Sequence, residues 1–204
     1  MTALLTPPAP VAEEVSAPAE MLLTEADLAL MPRELSRGTV QYELHHGKLV
    51  VMPPPGDIHS IVTGNLAYEL RVQGQMRGHG QYRGGEVGIL LGRDPDHVLV
   101  PETVFISNAR LPVRRTTEGY LETMPDLIVE VRSKNDTLAY TARKAGEYLA
   151  GGAVLVWVVD PIGRRVFAHR AGAEPVEIDE DGVLTCDDII PGFAVSVRAA
   201  LAEP

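Results

Sequence analysis

Two acidic residues stand where the surrounding pattern calls for apolar ones. Glu102 interrupts the run VLVPETVFIS at residues 98–107, and Glu130 interrupts LIVEV at residues 127–131. A charge inside such a run costs several kcal/mol unless it is paired or binds a metal. Side chains alternate along a strand, so Glu130 and Arg132 fall on one face and Leu127, Val129 and Val131 on the other. An acid followed two residues later by a cation has a chemical logic. The carboxylate binds a hard divalent ion, and the cation steadies the attacking water or a phosphate. Glu102, on the neighbouring strand, would be the second metal ligand. Oxygen donors of this kind suit Mg²⁺ or Mn²⁺ better than zinc. The competing reading is a structural ion pair of Glu130 with Arg132 or Lys144. The equally apolar setting expected of Glu102 favours the metal.

Other residues gather around this pair. Lys144 sits at the margin of a helical face, between Thr141 and Tyr148 at helical spacing, and the helix directly follows the Glu130 strand. Its ammonium can therefore reach back to the acids, whereas Tyr148 reads as core. Glu43 alternates with Tyr42 and Leu44 and faces either solvent or the site. His59 lies in the first turn of a helix, a common place for a capping or surface histidine. His45, His46, His79, His97 and His169 form no pair within a zinc motif. The chain has no phosphate-cradling Gly-rich loop and no GxSxG.

The elements that position these residues are legible from periodicity. Thr24 before EADL caps a short helix that ends ahead of Pro32. VQYELHHGKLVVMPPP reads as a hairpin turning at residues 45–48. From Asp57 to about Arg77, apolar residues recur every three or four positions, which predicts an amphipathic helix closed by Gly78-His79-Gly80. Strands are expected at Glu86–Leu91, Val98–Ile106 and Leu127–Ser133, with a polar loop carrying Arg110, Arg114 and Arg115 before the last. Asn135 or Asp136 is expected to cap a second helix with Leu138, Ala142, Ala145 and Leu149 on one face. Ala153–Val159 is apolar throughout, as for a strand buried on both faces. Strand, helix and strand in succession predict a crossover joining parallel strands. Arg165–Arg170 and the short strands of the tail add hairpins. The expected fold is α/β, with a central mixed sheet flanked by helices and extra N- and C-terminal hairpins.

Composition narrows the setting. The 204 residues carry 28 acidic against 18 basic side chains, a net charge of −10 that argues against a constitutive nucleic-acid coat. A local positive groove is still allowed. The single cysteine, Cys186, cannot close an intrachain disulfide and suits a reducing cytoplasm. It reads as a small core or turn residue. No apolar run is long enough to span a membrane. Residues 1–22, rich in Pro and Ala, read as a disordered leader outside a single domain at 23–204.

Several segments resemble, in order, the Uma-type restriction endonuclease family: YELHHGKLVVMPPPGDIHS, VLVPETVFIS, MPDLIVEVRSKNDT, the helix carrying Lys144 and Tyr148, GAVLVWVVDP and DDIIPGFAVSV. The similarity covers roughly residues 23–201 and is most specific over 125–161. It implies a restriction-endonuclease-like PD-(D/E)XK core and Mg²⁺-dependent hydrolysis of DNA phosphodiester bonds. By position, the Pro-Asp element falls on Pro101-Glu102 with glutamate for aspartate, and the motif acid on Glu130. Arg132 stands where the motif lysine would, and the resemblance moves the lysine role to Lys144. Glu43 and His59 match two further family positions. Arg132 cannot act as a base but can bind phosphate. These departures leave a second reading open, a weak or inactive nuclease-fold module for binding or assembly, and a third, hydrolysis of another phosphodiester. A homodimer would serve cutting of both strands.

Overall fold

The computed structural model describes residues 21–35, 38–85, 87–112, 117 and 119–203. The expected leader, apart from Met21 and Leu22, lies outside the described residues, as do Arg114 and Arg115. Thr24 opens α1 (Glu25–Ala29) with a capping box: its hydroxyl accepts the Asp27 amide, and the Asp27 carboxylate returns to the Thr24 N–H. Short strands β1 (Glu34–Leu35) and β2 (Gly38–Thr39) pair antiparallel. The expected hairpin follows as β3 (Gln41–His45) and β4 (Lys48–Met52), with His45 opposite Lys48. His46 and Gly47 make its two-residue turn with φ of 54° and 79°, the two left-handed positions a tight hairpin needs.

The long helix is present as α2 (Asp57–Glu69), extended by a π-helical segment at Leu70–Gln75. Its end is packed without slack. A Cβ on Gly74 would lie 2.5 Å from Phe105 Cε2 and 3.0 Å from Ile190 Cδ1. Gly74→Ala is therefore expected to destabilise by about 1–3 kcal/mol from overpacking, despite a helix preference for Ala of ~1 kcal/mol. A lowered urea midpoint, partly recovered by Phe105→Leu, would show it. An unchanged midpoint would mean that the helix end shifts freely.

Next come β5 (Gly80–Gly84), β6 (Ile89–Gly92), β7 (His97–Leu99) and β8 (Thr103–Ser107). Three departures from the sequence expectations occur here. Residues 98–106 are not one strand: β7 pairs with β3 and β6, whereas β8 pairs with β5 and with a strand further on. Pro101 has no N–H for a ladder, so the chain leaves one sheet and joins another across it. Strand β5 was not foreseen, because GQYRG lacks apolar alternation. Its pairing with β8, Gly80 opposite Ser107 through Gly84 opposite Thr103, makes it a strand. The strand expected from Glu86 begins at Ile89 instead, and Glu86 itself lies outside the described residues.

The remaining elements are β9 (Leu127–Val131), α3 (Leu138–Ala150), β10 (Leu155–Asp160), β11 (Arg165–His169), β12 (Val176–Ile178), β13 (Val183–Thr185), β14 (Ala194–Ser196) and α4 (Val197–Ala200). Strand β10 runs parallel to β9, as the strand–helix–strand order predicts. The cap of α3 is Thr137 rather than Asn135 or Asp136; its hydroxyl accepts the Tyr140 amide at 3.1 Å. The Asp136 carboxylate is already taken by the Ser133 N–H at 3.0 Å. The buried face of α3 is Thr141, Lys144, Ala145 and Tyr148; of the face expected from apolarity, Ala145 is buried and Leu149 partly so, but Leu138 and Ala142 are exposed. The buried face is polar because of what lies beneath it.

The main sheet has the order β12-β11-β10-β9-β8-β5, and a smaller sheet the order β4-β3-β7-β6. One face of β9 and β10, with Leu127, Val129, Val131, Trp157 and Val159, packs on Val62, Leu66 and Leu70 and on Ile190, Phe193 and Val197. The other, with Ile128, Val156 and Val158, lies under Ala145 and Tyr148 of α3. The result is a mixed sheet covered by helices on both faces, as expected. Cys186 is core, its thiol pushed up to about 12 by burial. Among the described residues, no helix is long and apolar enough to cross a membrane.

Candidate active site

Strand alternation points Glu130 toward α3, on the face shared with Ile128, where it is only 4% exposed. Helix α3 supplies two partners one turn apart. Lys144 Nζ lies 2.9 Å from Glu130 Oε1, and the Tyr148 hydroxyl donates to the same oxygen at 2.7 Å. Lys144, itself 2% exposed, also reaches Glu43 Oε1 on β3 at 2.9 Å. One ammonium thus joins the two sheets. Glu43, whose orientation the sequence leaves open, is wholly buried and turned inward. The Val100 N–H donates to its Oε1 at 2.9 Å, and His45 Nε2 lies 2.9 Å from its Oε2.

Glu102 sits at the change of sheet, one residue before β8, next to the last β8–β9 pair, Thr103–Val129. Its side chain is 20% exposed, so the expected apolar strand interior is not its environment. Its Oε2 accepts the Val131 N–H at 3.0 Å, in place of the strand carbonyl that β8 no longer provides. Its Oε1 lies 3.1 Å from Nε2 of His59, in the first turn of α2. His59 is thus more than a surface histidine, and its buried Nδ1 has no hydrogen-bond partner among the described residues.

The charges do not balance within this cluster: three carboxylates face one lysine. Burial pushes the Glu130 carboxyl up, and the charges of Glu102 and Glu43 add to the rise against the pull of Lys144; it reaches about 8. Glu43 goes the other way. Burial opposes its charge, but Lys144, His45 and the Val100 N–H together hold it down to about 2. Burial disfavours the Lys144 cation, yet Glu130, Glu43 and Glu102 more than offset this and raise it. It stays protonated. Burial likewise works against a charged His59, and the Glu102 hydrogen bond prevails, shifting the imidazole upward.

Arg132 lies on the same sheet face as Glu130, as alternation predicts, but at the sheet's end and bound elsewhere. Its Nε and Nη2 donate to Asp160 Oδ1 at 3.0 and 2.5 Å, and its Nη1 to the Asp136 carbonyl at 2.9 Å. The partner of Glu130 is therefore Lys144. Sequence reasoning misses three residues here: Tyr148, Asp160 and His45. The spacing of Tyr148 one turn after Lys144 and the alternation Glu43-x-His45 are the signals that mark two of them.

Among the described residues, no three His, Cys, Asp or Glu side chains converge as a metal cage. Mg²⁺ does not require one, since one or two carboxylates with water and substrate phosphate commonly hold it. The donor set fits that use. Glu102, just before β8, and Glu130, within β9, both offer oxygen, and the excess negative charge that lifts Glu130 is what a divalent cation would relieve.

A mixed sheet flanked by helices, with one acid in β9, a second just before β8 and a lysine from the helix after β9, defines a restriction-endonuclease-like α/β protein. The chain belongs to the Uma2 family, described as "Putative restriction endonuclease", whose model matches residues 26–198. The fold is similar to the crystal structure of "a putative nuclease belonging to DUF820" from Anabaena variabilis, with a TM-score of 0.72 and 20% identity, covering 88% of this chain and 97% of that one. No curated protein matches the chain.

Proposed function

We propose that this chain is an endonuclease that hydrolyses DNA phosphodiester bonds with Mg²⁺ or Mn²⁺ held by Glu102 and Glu130. The observation that carries the reading is that Lys144 bridges Glu130 and Glu43, with Glu102, the residue just before β8, hydrogen-bonded to the Val131 N–H next to Glu130. When bound, the divalent ion supplies Lewis acidity, activating water and offsetting charge on the phosphate. Lys144, protonated throughout, is a donor and electrostatic stabiliser rather than a base. Tyr148 and Lys144 together orient the Glu130 carboxylate, and Glu43 fixes Lys144. His59 orients Glu102. Arg132 keeps N–H groups on both terminal nitrogens beyond those given to Asp160 and Asp136, and these hold a phosphate oxygen. A cytoplasmic setting and a two-fold homodimer complete the proposal.

The burial of Lys144 and the internal bonding of every carboxylate favour a second reading, a nuclease-fold module without strong activity. Supercoiled plasmid and single-stranded DNA incubated with Mg²⁺, Mn²⁺ or EDTA separate the two. Cutting is expected with either metal and none with EDTA, and Glu102→Ala should slow it severely while leaving the fold intact. Folded protein that cuts neither substrate under any metal would overturn the endonuclease in favour of the binding module or of another phosphodiester.

A further inference from the structure

We propose that His45 is a positioning residue for Glu43: it donates from Nε2 to one carboxylate oxygen and so turns the other onto Lys144. This rests on the endonuclease reading above. Strand alternation puts Glu43 and His45 on the same side of β3, and the ring lies 2.9 Å from Glu43 Oε2. Its other nitrogen decides the tautomer. Arg143 Nη2 lies 3.3 Å from His45 Nδ1, and a guanidinium can only donate, so Nδ1 accepts and Nε2 carries the proton. The ring plane is set by Tyr140, stacked at 6.3 Å and 21°, and by the edge of His97 at 5.8 Å and 79°. Arg143 is itself tied to Glu147, which also lies 3.2 Å from His97 Nε2.

The consequence falls on Glu43. Its Oε1 serves both Lys144 and the Val100 N–H, and it holds that orientation only while Oε2 has a donor of its own. In a buried site, removing that donor leaves an unsatisfied oxygen, and the carboxylate turns to recover a partner. Lys144 then loses the anchor that fixes it over Glu130. His45 thus acts through Glu43, two hydrogen bonds removed from Lys144.

A double-mutant cycle on the full chain tests this, with plasmid cleavage in Mg²⁺ and ¹³C-carboxyl NMR titration of Glu43 as separate readouts. His45→Phe keeps a stacking ring without a donor. It should lower kcat by about 10-fold with KM little changed, and Glu43 should titrate at higher pH. His45→Gln restores an N–H donor and should return both readouts toward wild type. In a Glu43→Gln background, His45→Phe should have no further effect. Additive losses, or a glutamine variant as poor as phenylalanine, would overturn the proposal. Should His45→Phe fail to fold, Arg143→Met, changed at a half-exposed side chain, should give a smaller drop in the same direction, and no drop would count against it. Wild-type protein that does not cut DNA would overturn only the endonuclease reading. The Glu43 titration then decides the role of His45, and an unmoved titration in His45→Phe overturns it.

Discussion

Lys144→Met is expected to cost the fold about 3–5 kcal/mol at neutral pH, the largest single loss among the site residues. Lysine and methionine fill similar space, so the effect is electrostatic rather than a cavity. The ammonium lies 2.9 Å from both Glu43 and Glu130, and all three side chains are nearly or wholly inaccessible to solvent. Removing it strips the ionised Glu43 carboxylate of its cation and pushes the already raised Glu130 carboxyl further toward its protonated form. The remaining donors, the Val100 N–H, His45 and the Tyr148 hydroxyl, solvate these oxygens but carry no compensating charge. The loss should shrink as pH falls, because the acids can then take up protons. At pH 8 it should also shrink in Lys144→Met/Glu130→Gln, which replaces the acid that is part-ionised there by a neutral amide. Urea unfolding at pH 5 and pH 8 measures all of this. A loss below 1 kcal/mol at both values would mean that the two carboxylates do not depend on Lys144.

How much of this the sequence shows depends on whether a residue's role is local. The hairpin of β3 and β4, the long helix and the unit β9–α3–β10 are set by periodicity and turn chemistry within each segment, and they appear where expected. The break at Pro101 was also local, but a run of β-branched residues on either side outweighed one proline. Strand β5 was illegible for the opposite reason: its pairing with β8 is a tertiary fact that GQYRG does not announce. The same division holds in the site. Glu130 stands out because a charge in an apolar strand is anomalous by itself. Its link to Glu43, 87 positions earlier, depends on where the small sheet packs. Apolarity also misplaced the buried face of α3. The helix turns Lys144 inward because two carboxylates need a cation more than the core needs Leu138.

Glu130→Gln is expected to reduce metal-dependent cleavage to the level of the EDTA control while making the protein more stable at pH 8. The amide keeps the shape and accepts the Tyr148 hydroxyl, so the fold loses little. The native carboxyl is different, because burial beside Glu102 and Glu43 raises it from 4.5 to about 8. A raised acid holds its proton in the folded chain over a range where the unfolded chain has released it. Stability therefore falls as pH climbs through that window, by at most about 1.4 kcal/mol per pH unit, and levels off above it. Glu43 has the opposite sign: held down to about 2, it contributes stability that is complete above 4.5 and is lost progressively as pH falls from 4.5 to about 2. The gap between Glu130→Gln and wild type should thus be small near pH 4.5 and widen steadily to pH 8. Excess Mg²⁺ should narrow it again, for wild type alone, by favouring the ionised carboxylate. Urea midpoints at pH 5, 6.5 and 8, with and without the metal, read out both effects. A gap that does not change with pH would mean that Glu130 is ionised in the fold, and a gap indifferent to Mg²⁺ would remove Glu130 from the proposed metal site. Activity and stability pull apart at this residue because the same excess of negative charge that strains the fold is what would draw a cation to it.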